Sequence, residues 1–228
     1  MQLSKIELCM LCICVCILCF FIYGNLTYPR LYTYTLTNSI TIHDKENVLE
    51  KVQNGDLIFL SGTTYAENMC KWLGECIFSH IGLLFRERSI VYIVDCDIGQ
   101  SFKDGFRVSP LETKLSKYKG DKISCIKQLI GKRPDPNQIS KIIDESMEID
   151  FSNNVCRWLF SEYTKYPTKK MFCSEFVSYF LQKLNILKSR DEGGKNPCWY
   201  TPGEYFHNKI QHHFKNDYFF GQNIFFRF

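Results

Sequence analysis

The chain has no run of five or more basic residues, and its formal charge of +4 is spread along 228 residues. It therefore lacks the clustered electrostatic footprint of a nucleic-acid binder, and no nucleic-acid partner is expected. It has no internal repeat, and no low-complexity tract beyond its cysteine-rich start, which argues against a repeat architecture. Downstream of that start it also has no Cys-x-x-Cys pair. Of 12 cysteines, Cys9, Cys12, Cys14, Cys16 and Cys19 lie in the apolar N-terminal stretch, leaving Cys70, Cys76, Cys96, Cys125, Cys156, Cys173 and Cys198. An odd number cannot all pair, and most sit within apolar runs, so reduced thiols on a cytosolic, reducing side are expected rather than a disulfide scaffold. Cys198, His207, His212 and His213 fit no standard zinc spacing, so neither a metal nor a cofactor is expected.

Aromatic residues, in contrast, are abundant: 13 Tyr, 19 Phe and 3 Trp. They imply a large core or an apolar surface on a chain long enough for one domain plus an appendage. From Leu8 to Pro29 there is no charge, and the stretch from Leu8 to Tyr23 is almost wholly apolar between Lys5 and Glu7 on one side and Arg30 on the other. Counting the mixed flank Gly24 to Tyr28, that approaches the roughly 20 residues of a bilayer-spanning helix. Only Ile22 and Gly24 offer a cleavage pair, and the start carries one Lys against one Glu, so an uncleaved single-pass anchor over residues 1–29 is expected rather than a signal peptide.

Residues 30–53 read as a connector in which alternating Leu31 to Leu36 could add an edge strand and His43 is a solvated loop residue, residues 54–210 as the domain, and residues 211–228 as an aromatic tail that either closes the sheet or forms an exposed apolar patch. Asn54-Gly55-Asp56 is a turn signal before the buried strand Leu57 to Leu60. Ser61 to Thr64 can cap a helix from Tyr65 to Cys76. Phe78 to Phe85 alternates so that His80, Gly82 and Leu84 share one face. After the turn Arg86-Glu87-Arg88 the chain returns as Ile90 to Asp97, with Val91, Ile93, Asp95 and Asp97 on one face. A turn around Gly99 and Gly105 and a short helix opening at Ser109-Pro110 follow. A strand from Ile123 to Ile130 comes next, then a helix from Asn137 to about Glu148 with Ile139, Ile142, Ile143 and Met147 inward. Trp158, Leu159, Phe160 and Tyr163 read as core, and Trp199 to Phe206 as a capped short helix.

Between them, Phe176, Val177, Phe180, Leu181, Leu184 and Leu187 recur at helical spacing after the Pro-containing run Tyr166 to Lys170, so a helix begins near Cys173. A thiolate in its first turn faces unpaired backbone N–H groups and the positive end of the helix dipole, both of which favour the anion. The helical spacing also places Cys173 on the core-facing side, where a small buried cysteine is the plainer expectation. What weighs against that is His80 at a strand start, with an acid late on the neighbouring strand. Thiol, imidazole and carboxylate are the residue types of a nucleophile, a base and an orienting group.

Asn54-Gly55-Asp56-Leu57-Ile58-Phe59, then Ser79-His80-Ile81-Gly82, then Val91-Tyr92-Ile93-Val94-Asp95, then Phe172-Cys173-Ser174-Glu175-Phe176, closed by Thr201-Pro202-Gly203-Glu204, resembles the circularly permuted papain-like group of the NlpC/P60 superfamily. That group includes YiiX-type bacterial proteins, lecithin retinol acyltransferase relatives and poxviral members, and in it histidine precedes cysteine along the chain. The resemblance implies an α+β fold, an antiparallel sheet packed against helices, here preceded by one transmembrane helix. It makes Cys173 similar to the nucleophile, His80 to the base and Asp95 to the third polar residue, a place where relatives often carry Glu and for which Asp97 is the substitute. The Cys173 N–H would serve an oxyanion hole, and Glu175 would compensate charge at the helix start. The implied activity is hydrolysis or acyl transfer at an amide, ester or thioester carbonyl of a peptide or acyl-lipid substrate, beside a membrane that could be viral. The alternative is an inactive papain-like membrane scaffold.

Overall fold

The computed structural model describes Val15, Cys19, Ile22 and residues 40–97, 105–152, 168–215 and 217–228. Among these no helix is long and apolar enough to cross a membrane. The anchor expected over residues 1–29 lies outside the described residues apart from those three, as do the edge strand expected from Leu31 to Leu36, the aromatic patch from Trp158 to Tyr163 and Cys156.

A seven-stranded sheet runs through the molecule in the order β1-β9-β6-β2-β3-β4-β5. Its strands are β1 (Ile42–His43), β2 (Leu57–Leu60), β3 (His80–Glu87), β4 (Ile90–Asp97), β5 (Gly105–Pro110), β6 (Ile123–Ile130) and β9 (Phe219–Arg227). Neighbours pair antiparallel except β1, which runs parallel to β9. Two short parallel strands, β7 (Asp150–Phe151) and β8 (Lys170–Met171), form a second sheet. Six α-helices are described: α1 (Lys45–Glu50), α2 (Tyr65–Leu73), α3 (Leu111–Lys117), α4 (Pro136–Ser146), α5 (Cys173–Lys183) and α6 (Pro202–Phe206).

Alternation along the strands divides the core in two. Leu57, Phe59, Ile81, Leu83, Val94, Cys96 and Cys125 face one layer with Phe176, Val177, Phe180 and Leu181 of α5. Ile58, Leu60, Leu84, Ile93 and Ile126 face the other, against Val48 and Leu49 of α1 and Leu111 and Leu115 of α3. The four α5 side chains are fully buried, at about 1.5–3 kcal/mol each, so the helix that presents Cys173 is firmly seated. Gly55, at φ +91°, makes the turn that feeds β2. Asp56 follows it, and its carboxylate accepts the Gln53 and Leu129 N–H groups and pairs with Arg133, tying β2 to β6.

Two expectations need correction, the loop placement of His43 and the inward placement of Met147. The tail closes the sheet, the first of its two expected outcomes, with β9 between β1 and β6, and the connector contributes β1 and α1. His43 is accordingly an exposed strand residue rather than a loop residue. Residues 98–104, with Gly99 of the expected turn, lie outside the described residues, and Gly105 opens β5, a strand for which β4 supplies a paired edge despite its arginine and proline. The helix carrying Ile139 and Ile142 ends at Ser146, which leaves Met147 65% exposed.

Candidate active site

Cys173 is the first residue of α5, and two short-range devices set that helix start. Glu175, fully buried, accepts the Phe172 N–H at 3.1 Å, and the preceding strand β8 is held through Ser152 N–H to Met171 O at 2.9 Å and Cys96 Sγ to Met171 O at 3.2 Å. The dipole's positive end and the first-turn N–H groups therefore sit beside the sulfur. The thiol points at the carbonyl of Ser79, with Sγ 3.9 Å from that oxygen, and is itself only 9% exposed.

His80, the next residue, starts β3. Its Nε2 lies 2.8 Å from Asp95 Oδ2 on β4, and Cys173 is among the neighbouring groups that favour its charged form. Gly82, on the His80 face of β3, matters to this contact. A Cβ there would lie 2.6 Å from Ile93 Cδ1 and 3.4 Å from Asp95 Cβ, so a larger residue would push into the strand that carries the acid. The structure thus brings together all three residues singled out by sequence: Cys173, His80 and Asp95. Asp97, the alternative to Asp95, sits one alternation further along β4, where its Oδ2 meets Lys114 and Arg107.

Sequence reasoning missed a fourth member. Lys114, on α3, places Nζ 2.6 Å from Asp95 Oδ2 and 2.7 Å from Asp97 Oδ2, and Arg107 Nη2 on β5 approaches Asp97 Oδ2 at 3.1 Å. The signal was available: Leu111, Lys114, Leu115 and Tyr118 recur at helical spacing, so the lysine lies on the buried face. Burial disfavours a charged His80, but the charge of Asp97, the hydrogen bond to Asp95 and the neighbouring Cys173 outweigh it and raise the imidazole to about 10. Burial likewise works against the Asp95 carboxylate. Lys114 and His80 prevail and hold it below the usual carboxylate range. Asp97 is lowered by His80 and Lys114, also against its burial.

Among the described residues, His80, Asp95 and Asp97 are the group with metal-ligand spacing, their ligand atoms within 4.8 Å of one another. The position between the two carboxylates is, however, filled by the Lys114 ammonium. Cys198, His207, His212 and His213 form no such group among the described residues.

No protein-family model and no curated protein matches the chain. Among solved structures, one described as metalloprotein yiiX from Escherichia coli O157:H7 aligns at 16% identity with a TM-score of 0.43. The alignment covers 58% of this chain and 66% of that one, just short of two thirds of its length.

Proposed function

We propose that this chain is a thiol hydrolase or acyltransferase of the permuted papain-like kind, with Cys173 as nucleophile, His80 as acid and base, and Asp95 as the orienting carboxylate. One observation carries the proposal. A cysteine at a helix start, its sulfur 3.9 Å from the Ser79 carbonyl oxygen, neighbours a histidine whose Nε2 is held at 2.8 Å by a buried carboxylate. The order along the chain, histidine strand, acid strand, then cysteine helix, supports the permuted arrangement.

In the reaction, the Cys173 thiolate forms a C–S bond to the substrate carbonyl carbon, and the C–O, C–N or C–S bond to the leaving group breaks as His80 gives that group its proton. The Cys173 N–H donates to the developing oxyanion. Water or a second nucleophile, its proton taken by His80, then releases the acyl group and restores the thiol. Asp95, on Nε2, leaves the other ring nitrogen for the sulfur and stabilises the imidazolium. The apolar start of the chain supports a membrane location for this chemistry, and the unpaired body cysteines support a reducing side, with a peptide or acyl-lipid substrate.

The test is mass spectrometry of the full chain after incubation with a panel of amide, ester and thioester substrates and with membrane extract. The proposal predicts an acyl mass on Cys173 that is absent from Cys173→Ala and strongly reduced in His80→Gln. If no carbonyl compound leaves an adduct and Cys173 reacts with a carbonyl probe at the rate of an ordinary thiol, the proposal is wrong.

A further inference from the structure

Asp95 and Asp97 are two carboxylates that approach one cation. Asp95 Oδ2 accepts from both His80 Nε2 at 2.8 Å and Lys114 Nζ at 2.6 Å, while its Oδ1 is buried with no hydrogen-bond partner among the described residues. All direct neutralisation of this fully buried carboxylate therefore runs through one oxygen shared by the histidine and the lysine. Two anions this close repel each other, and a cation between them is required to keep both ionised. The same pair with His80 has the spacing of a divalent-cation site.

We propose that Lys114 is a positioning residue of the Cys173–His80 site: its ammonium takes the place a divalent cation would need between Asp95 and Asp97, and so holds Asp95 against His80. The assignment of an effect on Cys173 rests on the thiol chemistry proposed above. The occupation of the cation position does not. Lys114 acts only through Asp95, since its ammonium bonds the carboxylates. The charged groups that meet in the cluster come from five elements: His80 on β3, Asp95 and Asp97 on β4, Arg107 on β5, Lys114 on α3, and the Cys173 thiol on α5.

The test uses the full chain and two variants, Lys114→Ala, which empties the position, and Lys114→Met, which keeps the apolar stem should the alanine variant fold poorly. Mn²⁺ titration by calorimetry reads the cation position, and iodoacetamide alkylation of Cys173 reads the histidine. The expectation is that either folded variant binds one Mn²⁺ at least about tenfold more tightly than the unsubstituted chain, and that this gain disappears when Asp97→Asn is added. Without Mn²⁺, Cys173 alkylation falls by about tenfold, and methylammonium restores it in Lys114→Ala. Mn²⁺ binding by the unsubstituted chain as tight as by the variants overturns the claim that the lysine fills the position. Alkylation unchanged in the variants, or lost without rescue by methylammonium, overturns the positioning role, the latter being what lost packing alone would give. Should Cys173 of the unsubstituted chain react no faster than an ordinary thiol, the catalytic reading fails while the Mn²⁺ comparison still decides the lysine's place.

Discussion

A buried lysine and a partly buried one show how differently this fold uses the same side chain. Lys127, on β6, is 1% exposed and donates to Tyr205 O, Phe206 O and Asn208 Oδ1 at 2.8, 2.6 and 2.7 Å. Three donors meet three neutral acceptors at the end of α6, and burial lowers the amine to about 8. Lys114 meets two carboxylates instead, and against the same burial penalty Asp95 and Asp97 raise it. Hydrogen bonds to carbonyls can satisfy an ammonium's geometry without compensating its charge. Carboxylates do both, and only the second arrangement leaves a charged network touching the imidazole beside Cys173.

The contrast breaks if the Lys127 corner influences the thiol. His80→Gln should slow Cys173 acylation by roughly 10²–10⁴-fold, the usual worth of a positioned acid and base. Lys127→Met should leave the rate within about twofold, measured per folded molecule.

Stability sharpens it next. Each lysine replaced by Met should cost about 3 kcal/mol in urea unfolding near neutral pH, because each deletion strands buried partners. Lowering the pH toward about 5 should return much of the Lys114→Met loss, since one crowded carboxylate can then take a proton, and none of the Lys127→Met loss.

A smaller effect appears in the alkaline limb. His80 is raised in the folded state, so its stabilisation is complete below its unfolded value of about 6.5 and is lost as pH rises through about 10. Lys127 is lowered, so between about 8 and its unfolded value of about 10.5 the unfolded chain holds more protons and stability rises with pH. Removing His80 should therefore flatten a falling alkaline slope, and removing Lys127 a rising one, in unfolding curves collected from neutral to alkaline pH. Least of all, Asp97→Asn should slow alkylation of Cys173 by only a few-fold where Asp95→Asn slows it by about 10–100-fold, because Asp95 bonds the imidazole directly at 2.8 Å.

Periodicity made much of this architecture legible beforehand. The α5 seam from Phe176 to Leu181, the alternation of His80 with Gly82 and Leu84, and the Thr201 to Glu204 cap are local patterns, and each appears in place, whereas Leu187 falls beyond the helix end at Lys183. Strand β5 was not legible, because the pairing that makes it a strand comes from β4 rather than from its own Arg107, Ser109 and Pro110. The tail was ambiguous for a related reason: Phe219 to Arg227 has strand composition, but only its fit between β1 and β6 decides that it closes the sheet. For the site, residue types and chain order indicated Cys173, His80 and Asp95. Lys114 stood on an apolar helix face with no motif to draw attention to it, and its partners lie on another strand.

The most direct measurement is the rate at which iodoacetamide alkylates Cys173 near pH 7, in the native chain, in His80→Gln, and in the chain unfolded in urea. A thiol only 9% exposed should be slower than in the unfolded chain if it is a core residue. The account predicts the reverse: native Cys173 faster than unfolded, by about tenfold or more, with the advantage gone in His80→Gln. A native rate below the unfolded one, unchanged by loss of the histidine, would contradict it.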